Sequence, residues 1–167
     1  EHLRERGLLE DTVVIFTADH GETLGTHGGL QDKGWHHFEE THRIPLIVRG
    51  PGCRGGVVRR EFASLADVYP TILDLAGIAE PEADTHGRSL VPLAAGGNPE
   101  WRDVVVTEFG GVNQQATTMR TVRCGSLKYG YCASGPEELY DLDADPYETR
   151  NVINHPDYRE RADDMRR

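Results

Sequence analysis

The stretch "TVVIFTADHGE", residues 12–22, decides how the chain is read. Its first five residues are mostly β-branched or aromatic, so the run from Thr12 to Phe16 predicts a strand buried on both faces. The apolar character then stops, and Asp19 and His20 follow just past the strand's carboxyl end. Open α/β sheets gather ligands at that end, because loops there can bring polar groups around a crevice while the sheet holds them still. A carboxylate and an imidazole presented together suit a divalent cation, since both are good ligands and a fixed geometry lowers the cost of ordering them. Two groups do not complete a coordination shell, and the remaining ligands must come from elsewhere. Taken alone, the pair reads more simply as a turn cap and a histidine bonded to a carbonyl.

The neighbouring residues add to the pair. Gly21, Gly25, Gly28 and Gly29 leave the backbone free to approach a ligand. Lys33 follows Asp19 by fourteen residues. Its ammonium would neutralise an anionic group that a metal also polarises, as in phosphoryl and sulfuryl transfer sites; singly, it reads as a solvated surface lysine. His20, His27, His36, His37 and His42 make five of the eight histidines. Imidazole titrates near neutrality, and His27 is the first candidate among them for proton transfer to a leaving group. His36 and His37, adjacent on a helix expected at "WHHFEET" (35–41), cannot both face a crevice, and His42 reads as a strand-entry residue.

Outward from this loop, "EHLRERGLL" (1–9) resembles the last turns of a helix stopped by Gly7, so the chain is expected to be part of a longer polypeptide. "IPLIV" (44–48) is a second apolar strand, and two such strands separated by a loop and a helix point to a parallel crossover. In "SLADVYPTILDLAGI" (64–78), Leu65, Val68, Tyr69, Ile72, Leu73 and Ala76 recur at helical spacing and predict a packing face, with Ser64 or Asp67 as cap and Gly77 as stop. From Gly96 the texture changes to strands joined locally: "DVVVTEF" (103–109), a loop "GGVNQQATT" (110–118), a hairpin "MRTVRCGSLKYGYC" (119–132) turning near Gly125 and Ser126, and "EELYDL" (137–142). A polar helix beginning at Pro156 closes the chain. The expected fold class is α/β: a partial parallel or mixed sheet over residues 1–95, then a small antiparallel α+β subdomain over residues 96–167.

Composition sets limits on partners. With 18 basic and 28 acidic residues the net charge is −10, which gives no nucleic-acid footprint and requires any anionic substrate to be held by local cations. No apolar stretch is long enough to span a bilayer. Cys53, Cys124 and Cys132 have neither zinc-site spacing nor an even count and read as structural thiols, with Arg120 and Arg123 as paired strand charges.

Five ordered motifs, "DTVVIFTADHGETLGTHG", "KGWHHFEETHRIPLIVRGPG", "SLADVYPTILDLAGI", "HGRSLVPL" and "EELYDLDADPYETRNV", closely resemble the C-terminal half of formylglycine-dependent sulfatases of the alkaline-phosphatase superfamily. The resemblance implies an alkaline-phosphatase-like sandwich. It also implies that Asp19 and His20 are two ligands of one divalent cation, usually calcium, with magnesium or manganese in some relatives. Lys33 matches the lysine that binds sulfate oxygens, while a one-residue-longer loop leaves the placing of His27 open. The remaining ligands and the cysteine or serine matured to formylglycine are implied to lie in the first half of the polypeptide, which is thereby the chain's own partner. The motif for that residue, Cys or Ser followed by x-Pro-x-Arg or x-Ala-x-Arg, is absent here. The implied activity is hydrolysis of a sulfate monoester, on a small molecule or a glycan, by the intact protein and not by this part alone. Two alternatives stand beside it: a phosphonate monoester hydrolase or phosphodiesterase of the same superfamily, and a non-catalytic relative that binds an anion.

Overall fold

Strand β1, Val14–Thr17, pairs antiparallel with strand β2, Leu46–Arg49, setting Phe16 opposite Ile47 and Thr17 opposite Leu46. This replaces the parallel crossover expected from the sequence. A parallel return needs a connection that crosses the sheet, usually on a helix; residues 18–45 contain no such helix among the described residues, only single turns such as Glu39–His42, and they bring the chain back to the end it left. Nor is β1 buried on both faces, since Phe16 is 58% and Ile47 59% exposed. Directly opposed residues share a face, and in a two-stranded ribbon that face has no covering layer among the described residues.

The computed structural model describes residues 1–31, 33–34, 36–79, 85–110 and 118–167. By contact the chain falls into two units, Glu1–Asp19 with Pro45–Arg102, and His20–Ile44 with Asp103–Arg167. Residues 20–44, early in the sequence, therefore belong with the C-terminal sheet.

In the first unit a helix, Val68–Leu75, is entered through a tight turn at Leu65–Asp67. Ser64 and Asp67 cap it reciprocally: Ser64 Oγ accepts from the Ala66 amide at 3.3 Å and Asp67 Oδ2 from the Ser64 amide at 2.8 Å. The face that packs inward carries Asp67, Pro70 and Thr71, whereas Tyr69 and Ile72 of the predicted apolar stripe are 47% and 50% exposed. Polar bonds explain the inversion. The fully buried Asp67 carboxylate accepts both Arg102 terminal nitrogens, at 2.6 and 3.0 Å, and the Arg88 amide at 2.8 Å. Thr71 Oγ1 donates to the Asp67 carbonyl at 2.6 Å and accepts from the Leu90 amide at 2.8 Å. Pro70 falls in the first turn, where no intrahelical amide donor is required of it.

The second unit is a four-stranded antiparallel sheet in sequence order, β3 Val104–Phe109, β4 Met119–Cys124, β5 Leu127–Cys132 and β6 Glu138–Asp141. The hairpin turns at Gly125 and Ser126 as expected. Residues 111–117 of the expected loop lie outside the described residues. The terminal helix, Arg159–Arg166, follows a turn opened by Pro156 and sets Ala162 against Tyr129 and Leu139. Asn151 pins the crossing segment, its Oδ1 accepting from the Leu139 and Ile153 amides at 3.0 Å each. Arg120 pairs with its cross-strand neighbour Glu108 at 2.6 Å, and the three cysteines are free thiols. The fold class is mixed α/β with antiparallel sheets. Among the described residues no helix is long and apolar enough to cross a membrane.

Candidate functional site

Asp19 and His20 stand two and three residues beyond Thr17, the last residue of β1, and both are exposed. His20 Nδ1 lies 2.8 Å from the carbonyl oxygen of Gly21. A carbonyl can only accept, so in the neutral ring Nδ1 carries the proton and the lone pair sits on Nε2. The backbone bond expected of a plain turn histidine is thus also the bond that fixes the tautomer of the ring. One exposed carboxylate and one exposed imidazole fit a divalent cation in donor chemistry. Among the described residues no group of three or more His, Cys, Asp or Glu side chains stands together to complete its shell.

The loop that follows is held by a helical turn, Glu39–His42, of the same unit. The Gly21 amide donates to the Thr41 carbonyl at 3.0 Å, and a Cβ at Gly21 would come within 1.8 Å of the Glu40 carbonyl oxygen. Only glycine permits that approach. Further along, the Leu30 carbonyl accepts from both the Gly25 amide and Thr23 Oγ1 at 2.8 Å, closing the loop on itself. His27 sits within it at φ +48°, a left-handed conformation uncommon for a residue with a Cβ. Its ring stacks on Phe38 with centroids 3.5 Å apart and planes 4° from parallel, and its Nε2 donates to Glu40 Oε1 at 3.2 Å. Lys33 is exposed beyond the closed part of the loop.

His37 and His42 of the same stretch serve packing. The helix expected at 35–41 begins only at Glu39, so His36 and His37 precede it, and His42 lies within it and not at a strand entry. His37 is buried and shares a 2.6 Å hydrogen bond with Thr121 Oγ1 of β4. Burial, reinforced by the charges of His42, Lys128 and His36, lowers its pKa to about 4. His42 Nε2 donates to the His36 carbonyl at 3.2 Å, and burial pulls its pKa down too.

A buried charge cluster escaped the sequence reading. Lys128 of β5 is 1% exposed and its Nζ makes an ion pair with Glu148 and a second contact with Glu39 Oε1 at 3.3 Å. Burial pushes the Glu148 carboxyl up, and the Lys128 ammonium against it pulls the other way. Glu148 Oε2 also accepts from the Glu39 amide at 2.6 Å. The available signal was strand alternation, which puts Lys128 on the same face as Gly130 and so marks an inward lysine beside a residue with no side chain.

Residues 25–167 match the family described as N-sulphoglucosamine sulphohydrolase, C-terminal. Choline-sulfatase of Rhizobium meliloti (strain 1021) is 40% identical over 151 residues, covering 89% of this chain and 28% of that protein. The crystal structure of the phosphonate monoester hydrolase of Agrobacterium radiobacter superposes with a TM-score of 0.87 at 34% identity, over 98% of this chain and 35% of that one. A structure of a protein in complex with its substrate D-glucosamine-2-N,6-O-disulfate superposes with a TM-score of 0.88 at 28% identity, over 99% and 34% of the two chains. The family match and these likenesses place the chain in the class that holds sulfatases and phosphonate monoester hydrolases. The chain belongs to the N-sulphoglucosamine sulphohydrolase C-terminal family. It spans about a third of the length of the relatives it matches.

Proposed function

We propose that the protein carrying this chain is a metal-dependent sulfatase that hydrolyses a sulfate monoester of a small molecule or a glycan. The observation that carries this reading is the Asp19-His20 step, both residues exposed just past the end of β1. Family membership and 40% identity to a choline-sulfatase support it. Asp19 and His20 are two ligands of one divalent cation, calcium first and magnesium or manganese as alternatives. When bound, that cation supplies fixed positive charge where the sulfuryl oxygens gather negative charge. Lys33 binds the same oxygens with its ammonium. As the nucleophile bonds to sulfur and the ester S–O bond breaks, the departing alkoxide takes a proton from the doubly protonated His27 ring, in which Nε2–H donates to Glu40 and Nδ1–H is the proton transferred. The nucleophile, a formylglycine matured from cysteine or serine, belongs to another part of the protein, since the three cysteines here lack its motif.

The test uses the full-length protein with 4-nitrophenyl sulfate, choline sulfate and phenyl phosphonate esters in parallel. Sulfate esters are expected to turn over fastest, chelation to abolish turnover, and Asp19→Asn and Lys33→Ala each to lower kcat/KM by about 10²–10³-fold, the loss that follows removal of one oxyanion-stabilising group. A preference for phosphonate esters would assign the phosphonate monoester hydrolase alternative. Binding of sulfated ligands without turnover would assign the non-catalytic one. Unchanged metal-dependent turnover in Asp19→Asn would remove Asp19 and His20 from the site.

A further inference from the structure

The loop carrying His20, His27 and Lys33 closes on itself between Thr23 and Leu30, and its hold on the rest of its unit leads back to the end of the chain. The Gly21 amide is bonded to Thr41, and His27 to Glu40. Thr41 and Glu40 belong to the Glu39–His42 turn, which is too short to be stable by its own hydrogen bonds. That turn is fastened from outside at Glu39, whose amide donates to Glu148 Oε2 at 2.6 Å and whose carboxylate lies 3.3 Å from Lys128 Nζ and 3.9 Å from Arg123 Nη1. Lys128 and Arg123 are directly opposed on β5 and β4.

Glu148 reaches inward because its own turn is locked. Asp145 accepts the Arg150 amide at 2.8 Å and the Thr149 hydroxyl at 3.2 Å, and the Glu148 amide donates to the Asp145 carbonyl at 3.1 Å. Glu148 sits at φ +52° within that lock. A left-handed conformation at a residue with a long side chain persists only where its surroundings over-determine it. Here they direct a carboxylate to a buried lysine and to the first amide of a helical turn.

We propose that Lys128 and Glu148 are positioning residues for the ligand loop: the buried pair anchors the Glu39–His42 turn, and the turn fixes the backbone at Gly21 and the ring of His27. The claim that this serves a metal-binding site rests on the sulfatase reading above; the claim that the pair orders the loop does not. The terminal motif "DADPYE" (143–148) is thereby given a task at the other end of the chain.

The test is hydrogen exchange, read by mass spectrometry on the full-length protein, with calcium affinity by calorimetry. Glu148→Ala is expected to speed exchange across residues 21–30 at least tenfold and to weaken calcium binding, with exchange across β4 at Thr121–Arg123 unchanged. The double variant Lys128→Met/Glu148→Leu leaves no buried unpaired charge, folds even where the single variant does not, and is expected to loosen the same loop. Protection of residues 21–30 at the wild-type level in the double variant, with β4 intact, would overturn the positioning role. A loosened loop with unchanged calcium affinity would overturn its link to the metal. Wild-type protein that binds no calcium, magnesium or manganese would count against the sulfatase reading, and the exchange measurement would still decide the ordering role.

Discussion

Gly130 of β5 lies against the imidazole of His37: a Cβ at 130 would stand 2.3 Å from Cδ2 and 2.5 Å from Cγ of that ring. The same ring is bonded at Nδ1 to Thr121, the cross-strand neighbour of Gly130. One residue without a side chain and one hydroxyl thus make the berth of a buried histidine that comes from a distant part of the sequence. Gly130→Ala is expected to displace the ring and cost about 1–3 kcal/mol, the usual range for overpacking a close-packed interior. Denaturant unfolding checks it, and a loss under half a kilocalorie would mean that His37 moves aside freely.

Acidification acts through the same histidine. Folded His37 resists protonation down to about pH 4, whereas the unfolded chain binds that proton from about pH 6.5. The unfolded state therefore holds more protons between these values, and stability falls as pH drops through the window, by up to about 1.4 kcal/mol per pH unit, with no further loss below it. His42 is shifted the same way, and Glu148, raised above its usual value, has the opposite sign. Unfolding free energies at pH 7, 5.5 and 4.5 for wild type and His37→Gln isolate the contribution of this ring. Parallel curves for the two proteins would contradict it.

Removal of one partner from the buried pair is expected to be severe. Lys128→Met leaves Glu148 without its cation in a site closed to water, and the expected loss is about 3–5 kcal/mol. Lys128→Met/Glu148→Leu should lose less than Lys128→Met alone, because no buried charge is left uncompensated. A thermal-unfolding double-mutant cycle gives the comparison, and a double variant that loses as much as Lys128→Met, or more, would refute it.

In the first unit the weight falls on a carboxylate, not on the apolar stripe. Asp67→Ala removes the acceptor for two Arg102 nitrogens and two backbone amides, and the expected cost is again about 3–5 kcal/mol. Ser64→Ala removes one exposed-side cap and is expected to cost about 1 kcal/mol. Ile72→Ser, on the exposed stripe, should lie within about half a kilocalorie of wild type. Equal losses for Asp67→Ala and Ile72→Ser would show that the stripe is buried in the protein as it occurs.

Much of the local structure around the candidate site could be read from residue order. The Asp19-His20 step follows a strand because β-branched and aromatic residues end at Phe16, and the hairpin at Gly125 and the helix after Pro156 announce themselves through local turn chemistry. The direction of β2 could not be read this way. Apolar runs 12–16 and 44–48 are compatible with either direction, and the choice depends on where the intervening residues find their contacts. The helix at 68–75 misled for a related reason: periodicity marks which residues share a face, but a buried Asp67–Arg102 pair determines which face turns inward.

By itself the sequence determined the local elements, the place of Asp19, His20 and Lys33 after a strand, and the family, because these depend on neighbours along the chain and on motif order. Tertiary structure alone decided the antiparallel ribbon, the tautomer of His20, the burial of His37 beneath Gly130, and the pairing of Lys128 with Glu148. Each of those depends on a partner remote in sequence or on the direction of a hydrogen bond, and neither is encoded in a residue's own type.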